Sequence, residues 1–402
     1  MLTLEQALAQ LLAAAHPVAE VEAVATEEAG GRVLAQAQVA RVTVPPMDNS
    51  AMDGYALRRA DVPVAGTRLP VVQRIAAGSV GLALAPASAA RIFTGAPVPE
   101  GADAIVMQEQ CRVEADGSIL VDHLPAPGEW IRRRGEDIAE GQQILAAGER
   151  LQPQHLGLAA AIGAATLPVR RRLRVALLST GDELVMPGSV APEAMRPGAI
   201  YNSNRALLSG LLRQLGCVVD DLGIVADSLE ATRAALRRAA AGNDLIVSSG
   251  GVSTGEEDHV KPAVRAEGSL DLWKIAIKPG KPLAFGSVAT AAFIGLPGNP
   301  VSSLVTFLLL VRPFILKAQG AAARPGCSLP LRADFAWPRP DARREFLRVR
   351  RNDSGGLDLY PNQNSSVLTS AAWSDGLLDN APGRAFAQGE LVSFLPFTDL
   401  IY

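Results

Sequence analysis

The chain has 402 residues, of which 48% are hydrophobic and 20% charged, and its formal net charge is −3. That composition excludes a disordered chain, the length exceeds one hydrophobic core and points to about two to four domains, and the charge gives no case for nucleic acid as the main partner. Three cysteines, Cys111, Cys217 and Cys327, lie far apart without CxxC spacing. This excludes a disulfide framework and a cysteine-based zinc site, and it suits a reducing cytoplasm.

The first residues, MLTLEQALAQLLAAAHPVAEVEAV, carry Glu5 early and no basic run, so they do not read as an export signal. Leu4, Leu8, Leu11 and Leu12 share one face of a predicted helix over 3–16. Pro45 and Pro46 then forbid a helix and favour extended chain into DNSAMDGY. Between about 60 and 137, short β-like runs (Leu69–Ile75, Ala90–Phe93, Ala104–Gln108, Ser118–His123) alternate with Gly and Pro, which predicts a small β-rich domain. LQPQHLGLAAAIGAA, 151–165, reads as a short apolar helix that could pack on the N-terminal one.

From residue 173 the texture changes. LRVALLST, CVVDDLGIV and DLIVSSGG read as buried strands, and SNRALLSGLLRQLG and SLEATRAALRRAAAG as the helices between them. Ser203 or Asn204 is the expected cap of the first helix and Ser228 that of the second. This alternation predicts right-handed βαβ units and a parallel sheet. Further strands are expected at 271–277, 281–286 and 292–296, before a long helix at 300–318. Its apolar stretch VSSLVTFLLLV is far short of the roughly 20 residues that span a bilayer, and it reads as a buried helix. After about 325, FLRVRR, LDLYP and LVSFLPF predict a small C-terminal β-barrel or sandwich.

Ligands bind outside the carboxyl ends of strands in an open parallel sheet. Four loops are expected there: STGDEL (179–184), VADS (225–228), SSGGVSTGEEDH (248–259) and GLPGNPVSS (295–303). Ser249, Gly250 and Gly251 allow close backbone approach, and Pro297, Gly298, Asn299 and Pro300 open a helix N-terminus that attracts anions. Asp182, Glu183, Asp227, Glu256, Glu257 and Asp258 are carboxylates suited to a hard cation shared with phosphates. Lys274, Lys278 and Lys281 add positive charge, and Lys274 and Lys278, four apart, could face one side of an extended segment. Each motif alone reads as an ordinary turn, cap or solvated side chain; their coincidence at strand ends points to a phosphorylated ligand held with magnesium. RRRGED, 132–137, reads on its own as a solvated turn.

VPPMDNSAMDGYA, TGAPVPEGADAIVMQE, IRRRGEDI, STGDEL, SSGGVSTGEEDHVKP, WKIAIKPGKP and GLPGNPVSS, in this order, resemble the molybdopterin molybdenumtransferases, a family that includes MoeA and the E domain of gephyrin. The resemblance runs from about residue 3 to about residue 400. It implies an α/β multidomain subunit with a doubly wound domain like the molybdopterin adenylyltransferases. The expected parts are a helical N-terminal domain (1–44 and 138–171), a β-rich domain (45–137), a molybdopterin-binding α/β domain (172–322) and a C-terminal β-barrel (323–402).

It also implies insertion of molybdate into adenylylated molybdopterin with release of AMP, magnesium as cofactor, and a homodimer whose active site joins the α/β domain of one subunit to the β-rich domain of the other. Carried over residue by residue, Asp53, Thr94, Asp137, Lys274 and Lys278 take catalytic roles. Glu183, Asp227 and Asp258 hold the metal, and Ser249, Gly250, Gly251, Pro297 through Pro300 and Ser370 bind substrate. QNSSVLTS has fewer glycines than the family pattern, so Ser366 and Thr369 compete with Ser370 for that role. Further partners implied are a molybdopterin adenylyltransferase and the molybdoenzymes that receive the product, with neither nucleic acid nor membrane. Adenylyltransferase-type activity needs only the α/β domain and leaves some 170 N-terminal residues unexplained; a gephyrin-like scaffold would not need intact acidic and lysine loops.

Overall fold

A computed structural model of the chain describes residues 1–251, 259–323, 326 and 328–401. Its centre is a six-stranded sheet. The strands are β1 (Arg174–Thr180), β2 (Val218–Val225), β3 (Leu245–Ser249), β4 (Gly268–Lys274), β6 (Pro282–Val288) and β7 (Ala291–Leu296), in the order β2-β1-β3-β7-β6-β4. A two-residue strand, β5 (Ile277–Lys278), leaves this sheet and belongs to another. β1, β2, β3 and β7 pair in parallel, whereas β6 is antiparallel to both neighbours. The sheet is therefore mixed rather than wholly parallel, because β4, β6 and β7 are joined by short turns and not by crossover helices.

The apolar runs that mark the strands follow from burial on both faces. Val175, Leu177, Leu245, Val247 and Ile294 join a core with α1 (Leu4–Ala14), α3 (Ser203–Gln214) and α6 (Pro300–Ala318). Their neighbours Ala176, Leu178, Ile246 and Phe293 join a second core with α4 (Leu229–Ala240) and α5 (Val260–Glu267). Alternation along each strand thus sends successive side chains to opposite layers, which is what makes the unit doubly wound. Asn202 caps α3, its side chain accepting from Arg205 N, one residue before the expected positions. Ser228 caps α4 as expected.

α6 runs 19 residues, long and apolar enough to cross a membrane, so the length argument drawn from VSSLVTFLLLV does not hold. Burial decides the matter: 72% of its apolar window lies inside the protein. The helix continues through Pro313 by loosening into a π-helical segment over Phe307–Val311, since proline supplies no N–H to the ladder.

α1 is held by a capping box of Thr3 and Gln6, and its Ala7, Leu11 and Ala15 join the core of α6. The expected partner, α2 (Pro153–Ala161), lies elsewhere. It packs with Ala29, Leu34, Leu145, Leu151, Leu167 and Val169 where Val21–Ala25 pairs with Thr166–Arg170. Residues before 45 and after 138 thereby meet around one small core.

The β-rich insertion contains a four-stranded sheet of Val71–Ile75, Ala89–Ile92, Gly54–Leu57 and Ala104–Met107, and a three-stranded sheet of Thr67–Leu69, Ile119–Val121 and Cys111–Val113. Gly54 sits where a Cβ would lie 2.0 Å from the Val106 carbonyl oxygen, so the DNSAMDGY motif needs glycine there.

The C-terminal strands are β8 (Leu329–Arg332), β9 (Arg344–Arg351), β10 (Leu357–Leu359), β11 (Gly376–Asn380) and β12 (Leu391–Pro396). They run β5-β9-β11-β12-β8 with β10 on β9, and a bridge from Ala333 to Leu357 closes the ring into a small barrel. Leu347, Val349, Leu378 and Phe394 fill it.

Candidate active site

β1, β3 and β7 end level, with Ser179 opposite Ser249 and Ser249 opposite Leu296, and Thr180 faces Val225 of β2. The loops after these four strands therefore leave the sheet at one edge. The chain proceeds from β1 to β2 on one side and then to β3 on the other, so the strand order reverses between β1 and β3. A cleft of about 570 Å³ opens at that switch point, walled by Thr180, Glu183, Asn204, Ser249, Gly250 and Pro300 among others. Its size suits a small ligand.

Asn204 organises this cleft. Its amide Nδ2 donates to Ser249 Oγ at 2.8 Å and to the Gly298 carbonyl at 2.6 Å, tying the ends of β3 and β7 together. Its Oδ1 is buried without a partner. The Nδ2 of Asn202, a residue 1% exposed in the same wall, is equally orphaned. A buried polar atom without a partner calls for one, and at the wall of a cleft a ligand can supply it. The Gly250 N–H donates to Leu296 O at 3.1 Å. Gly251 follows at the last position before the undescribed segment.

A second cleft, of about 520 Å³, lies on the other side of the Pro297–Asn299 turn. Gly298 and Asn299 wall both clefts. The turn is braced by Asn299 Nδ2 donating to Ser365 Oγ at 3.0 Å, by Val301 N donating to Ser365 O at 3.0 Å, and by Ser303 Oγ donating to Pro297 O. Lys278, Lys281 and Arg343 bring three cationic side chains to the walls. Between the lysines, Gly280 (φ 111°) packs so closely that a Cβ would lie 2.5 Å from Thr306 Oγ1. Lys278 Nζ is 3.3 Å from both Asp341 Oδ2 and Glu345 Oε1. Hydrogen bonds from the Arg343 side chain hold the Asp341 carboxyl well below its ordinary range.

Lys274 does not join Lys278. It is exposed at the end of β4 and walls neither cleft, because the chain between them leaves the central sheet for the C-terminal one. Glu183 lines the larger cleft, and Asp227, half-buried, follows the neighbouring strand β2. Asp258 lies outside the described residues. Among the described residues no three His, Cys, Asp or Glu side chains gather as a metal site.

Ser370 also requires correction. It is fully buried, donating to Val367 O at 2.6 Å and accepting from Arg348 Nε at 3.2 Å. Arg348 is itself 1% exposed, and burial pushes its guanidinium down to about 10. Ser370 therefore serves the packing under the loop, while Ser365 and Ser366 face the two clefts. Arg343 carries no signal of its own in the sequence, and Gln363 and Asn364 are marked only by lying, with Ser365, in the QNSSVLTS string that holds the expected serine.

Asp53 and Thr94 are brought together, but away from both clefts. Asp53 Oδ1 accepts from Thr94 N at 2.8 Å and from Thr94 Oγ1 at 2.7 Å, which lowers its pKa. Asp137 is exposed, with its N–H on Val44 O at 3.1 Å. The RRRGED turn is not merely solvated: Asp48 of the DNSAMDGY segment accepts from Arg133 Nη1 at 2.7 Å and Arg134 N at 2.8 Å.

Known proteins match throughout. Three family signatures lie in tandem: "MoeA N-terminal region (domain I and II)" over 2–163, "Probable molybdopterin binding domain" over 176–317 and "MoeA C-terminal region (domain IV)" over 330–397. A curated relative, the molybdopterin molybdenumtransferase of Haemophilus influenzae, is 44% identical and aligns over 100% of both chains. Molybdopterin molybdenumtransferase 2 of Mycobacterium tuberculosis is 39% identical over 93% of each. The crystal structure of the molybdopterin biosynthesis MoeA protein of Pyrococcus horikoshii OT3 superposes with a TM-score of 0.84 at 28% identity, covering 98% of this chain and 100% of that one.

Proposed function

The chain belongs to the molybdopterin molybdenumtransferases, the MoeA family, and we propose that its two clefts hold the two substrates of molybdenum insertion on either side of one turn. It acts in molybdenum cofactor biosynthesis as the enzyme that inserts the metal. In our reading the larger cleft takes adenylylated molybdopterin. The unpartnered Asn202 Nδ2 and Asn204 Oδ1, with the Ser249 hydroxyl, supply donors and an acceptor for a polar, phosphate-bearing ligand. The basic cleft takes molybdate, a tetrahedral dianion, through Lys278, Lys281 and Arg343.

The observation that carries this reading is the shared wall: Gly298 and Asn299 border both clefts, so the dithiolene and the oxyanion can meet across the Pro297–Asn299 turn. The protein's part is then positioning and electrostatics. The substrate's dithiolene supplies the sulfur ligands, and AMP leaves as the phosphoanhydride opens.

Magnesium suits the oxygen chemistry of Glu183 and Asp227 on adjoining strand ends, with Asp258 as third carboxylate. Among the described residues these carboxylates do not assemble a complete site. Asp53, Thr94 and Asp137 lie outside both clefts, which supports a homodimer in which the partner's β-rich domain completes the site. A fully active monomer in sedimentation would refute that arrangement. The cytoplasm suits the described cysteines, both free thiols.

The test of the whole reading is reconstitution. Purified protein with adenylylated molybdopterin and molybdate should form molybdenum cofactor and release AMP, and chelation of magnesium should stop it. Absence of product with either substrate saturating would overturn the reading; undiminished turnover in chelator would remove only the metal.

A further inference from the structure

The KPGKP lysine is not fixed by its own domain. β5 pairs in parallel with β9 of the C-terminal barrel, placing Lys278 in register with Glu345. Glu345 is fully buried. Its Oε2 accepts from Trp337 Nε1 at 2.8 Å and lies 3.5 Å from Asn380 Nδ2, and its Oε1 lies 3.3 Å from Lys278 Nζ. A buried carboxylate is costly unless it is paired and hydrogen-bonded, so this one is built around its lysine.

We propose that Glu345 is a positioning residue for the oxyanion cleft: it accepts one N–H of Lys278 and, with the Asp341 carboxylate paired to the same ammonium, turns a remaining N–H toward the anion. This rests on the reading of the basic cleft as the molybdate site. A lysine stem is otherwise free to rotate, and the Lys278 side chain is 45% exposed. Two fixed carboxylates on one side give that ammonium one orientation.

The opposing effect is Coulombic, since a carboxylate near a dianion repels it. Placement decides between the two effects. Lys278 walls the cleft and Glu345 does not. The anion therefore meets the ammonium, with the carboxylate behind it, and the pair presents its positive end. Positioning outweighs repulsion in that arrangement.

The experiment uses the full chain, with molybdate alone titrated by calorimetry into wild type, Glu345→Gln, Glu345→Asp, Lys278→Ala and Lys278→Ala/Glu345→Gln. Glutamine keeps the shape and an acceptor for Trp337. Side-chain ordering at this level predicts about three- to tenfold weaker molybdate binding in Glu345→Gln. Glu345→Asp, which keeps the charge but not the reach, should weaken binding in the same direction. In the Lys278→Ala background Glu345→Gln should add nothing. In the insertion assay the half-saturating molybdate should rise, while kcat and half-saturation by the pterin nucleotide hold.

Unchanged or tighter binding in folded Glu345→Gln would overturn the proposal, as would a wild-type-like Glu345→Asp. The same loss in both backgrounds would mean a general structural role and would also overturn it. Failure of the underlying reading looks different: Lys278→Ala would itself bind molybdate like wild type, and the positioning role would fall with it.

Discussion

The larger cleft draws most of its walls from the α/β domain, from strand ends and from the chain leading into α3, with Ser366 and Leu368 added by the C-terminal domain, whereas the basic cleft is assembled from three separated segments, around 278–282, 297–302 and 343–365. The first rests chiefly on β1, β3 and β7 ending level, which follows from the doubly wound topology. The second needs β5 to cross into the barrel and Lys278 to meet Glu345, 67 residues away. One cleft is thus largely the work of one domain, and the other depends on contact between domains for the setting of its lysine. Substitutions in the basic cleft should therefore act on molybdate and those in the larger cleft on the pterin nucleotide, each with a stability cost where a buried partner is left unpaired.

Lys278→Ala is the largest expected break. A lysine of solvated character would be silent in folding, but this one leaves Glu345 fully buried and without its cation. Breaking a buried pair costs about 3–5 kcal/mol, and half-exposure of the lysine places the expected loss at or below about 3 kcal/mol. Molybdate affinity should fall by about one to two orders of magnitude, the worth of a charge-assisted hydrogen bond. Adding Glu345→Gln should restore much of the stability and none of the affinity. Urea unfolding and a molybdate titration check both. A single mutant as stable as wild type would dissolve the contrast between the clefts.

Asn204→Ala tests the other side. It removes the link between Ser249 and Gly298, with a loss of about 1–3 kcal/mol for groups left unsatisfied. Half-saturation by the pterin nucleotide should rise about tenfold or more, with the molybdate requirement changing less because Ser365 still braces the shared turn. Equal changes for both substrates would show that the turn, and not the cleft wall, is what Asn204 serves.

How far the sequence shows this architecture depends on the range of the interactions involved. LRVALLST and DLIVSSGG are legible because burial on both faces writes an apolar run into the strand itself. The loops at the sheet edge follow from the topology, so Ser249, Gly250 and Asn299 were in view. β5 could not be: two residues, Ile277 and Lys278, carry no period, and their partner strand is remote. The same distance hides Arg343 and leaves the choice among the serines and threonine of 365–370 open, so that Ser370, buried against Arg348, looks like a ligand. The association of α1 with α6 was also missed. Leucine periodicity gives the face of a helix but not which helix will cover it.

The smallest expected effect concerns pH in the basic cleft. Asp341 accepts from the Arg343 side chain at 3.0 and 2.9 Å and from its backbone N–H at 3.0 Å, and Lys278 stands 3.3 Å away. These donors favour the charged carboxylate, so its folded pKa lies below the roughly 3.9 of an unfolded aspartate. A depressed pKa contributes stability that is fully present above about pH 4 and is lost as pH falls through the folded value. The group is partly solvated, so the contribution is about 1 kcal/mol or less. Asp341→Asn should therefore be slightly less stable than wild type at pH 7. The gap should persist to about pH 4 and close below it, as the wild-type carboxylate takes up its proton. Taking the difference between the two proteins cancels the titration of carboxylates they share. Urea midpoints at pH 7, 5, 4 and 3 would show it, and a gap that stays constant down to pH 3 would mean that the charge of Asp341 does not help hold the lysine side of this cleft.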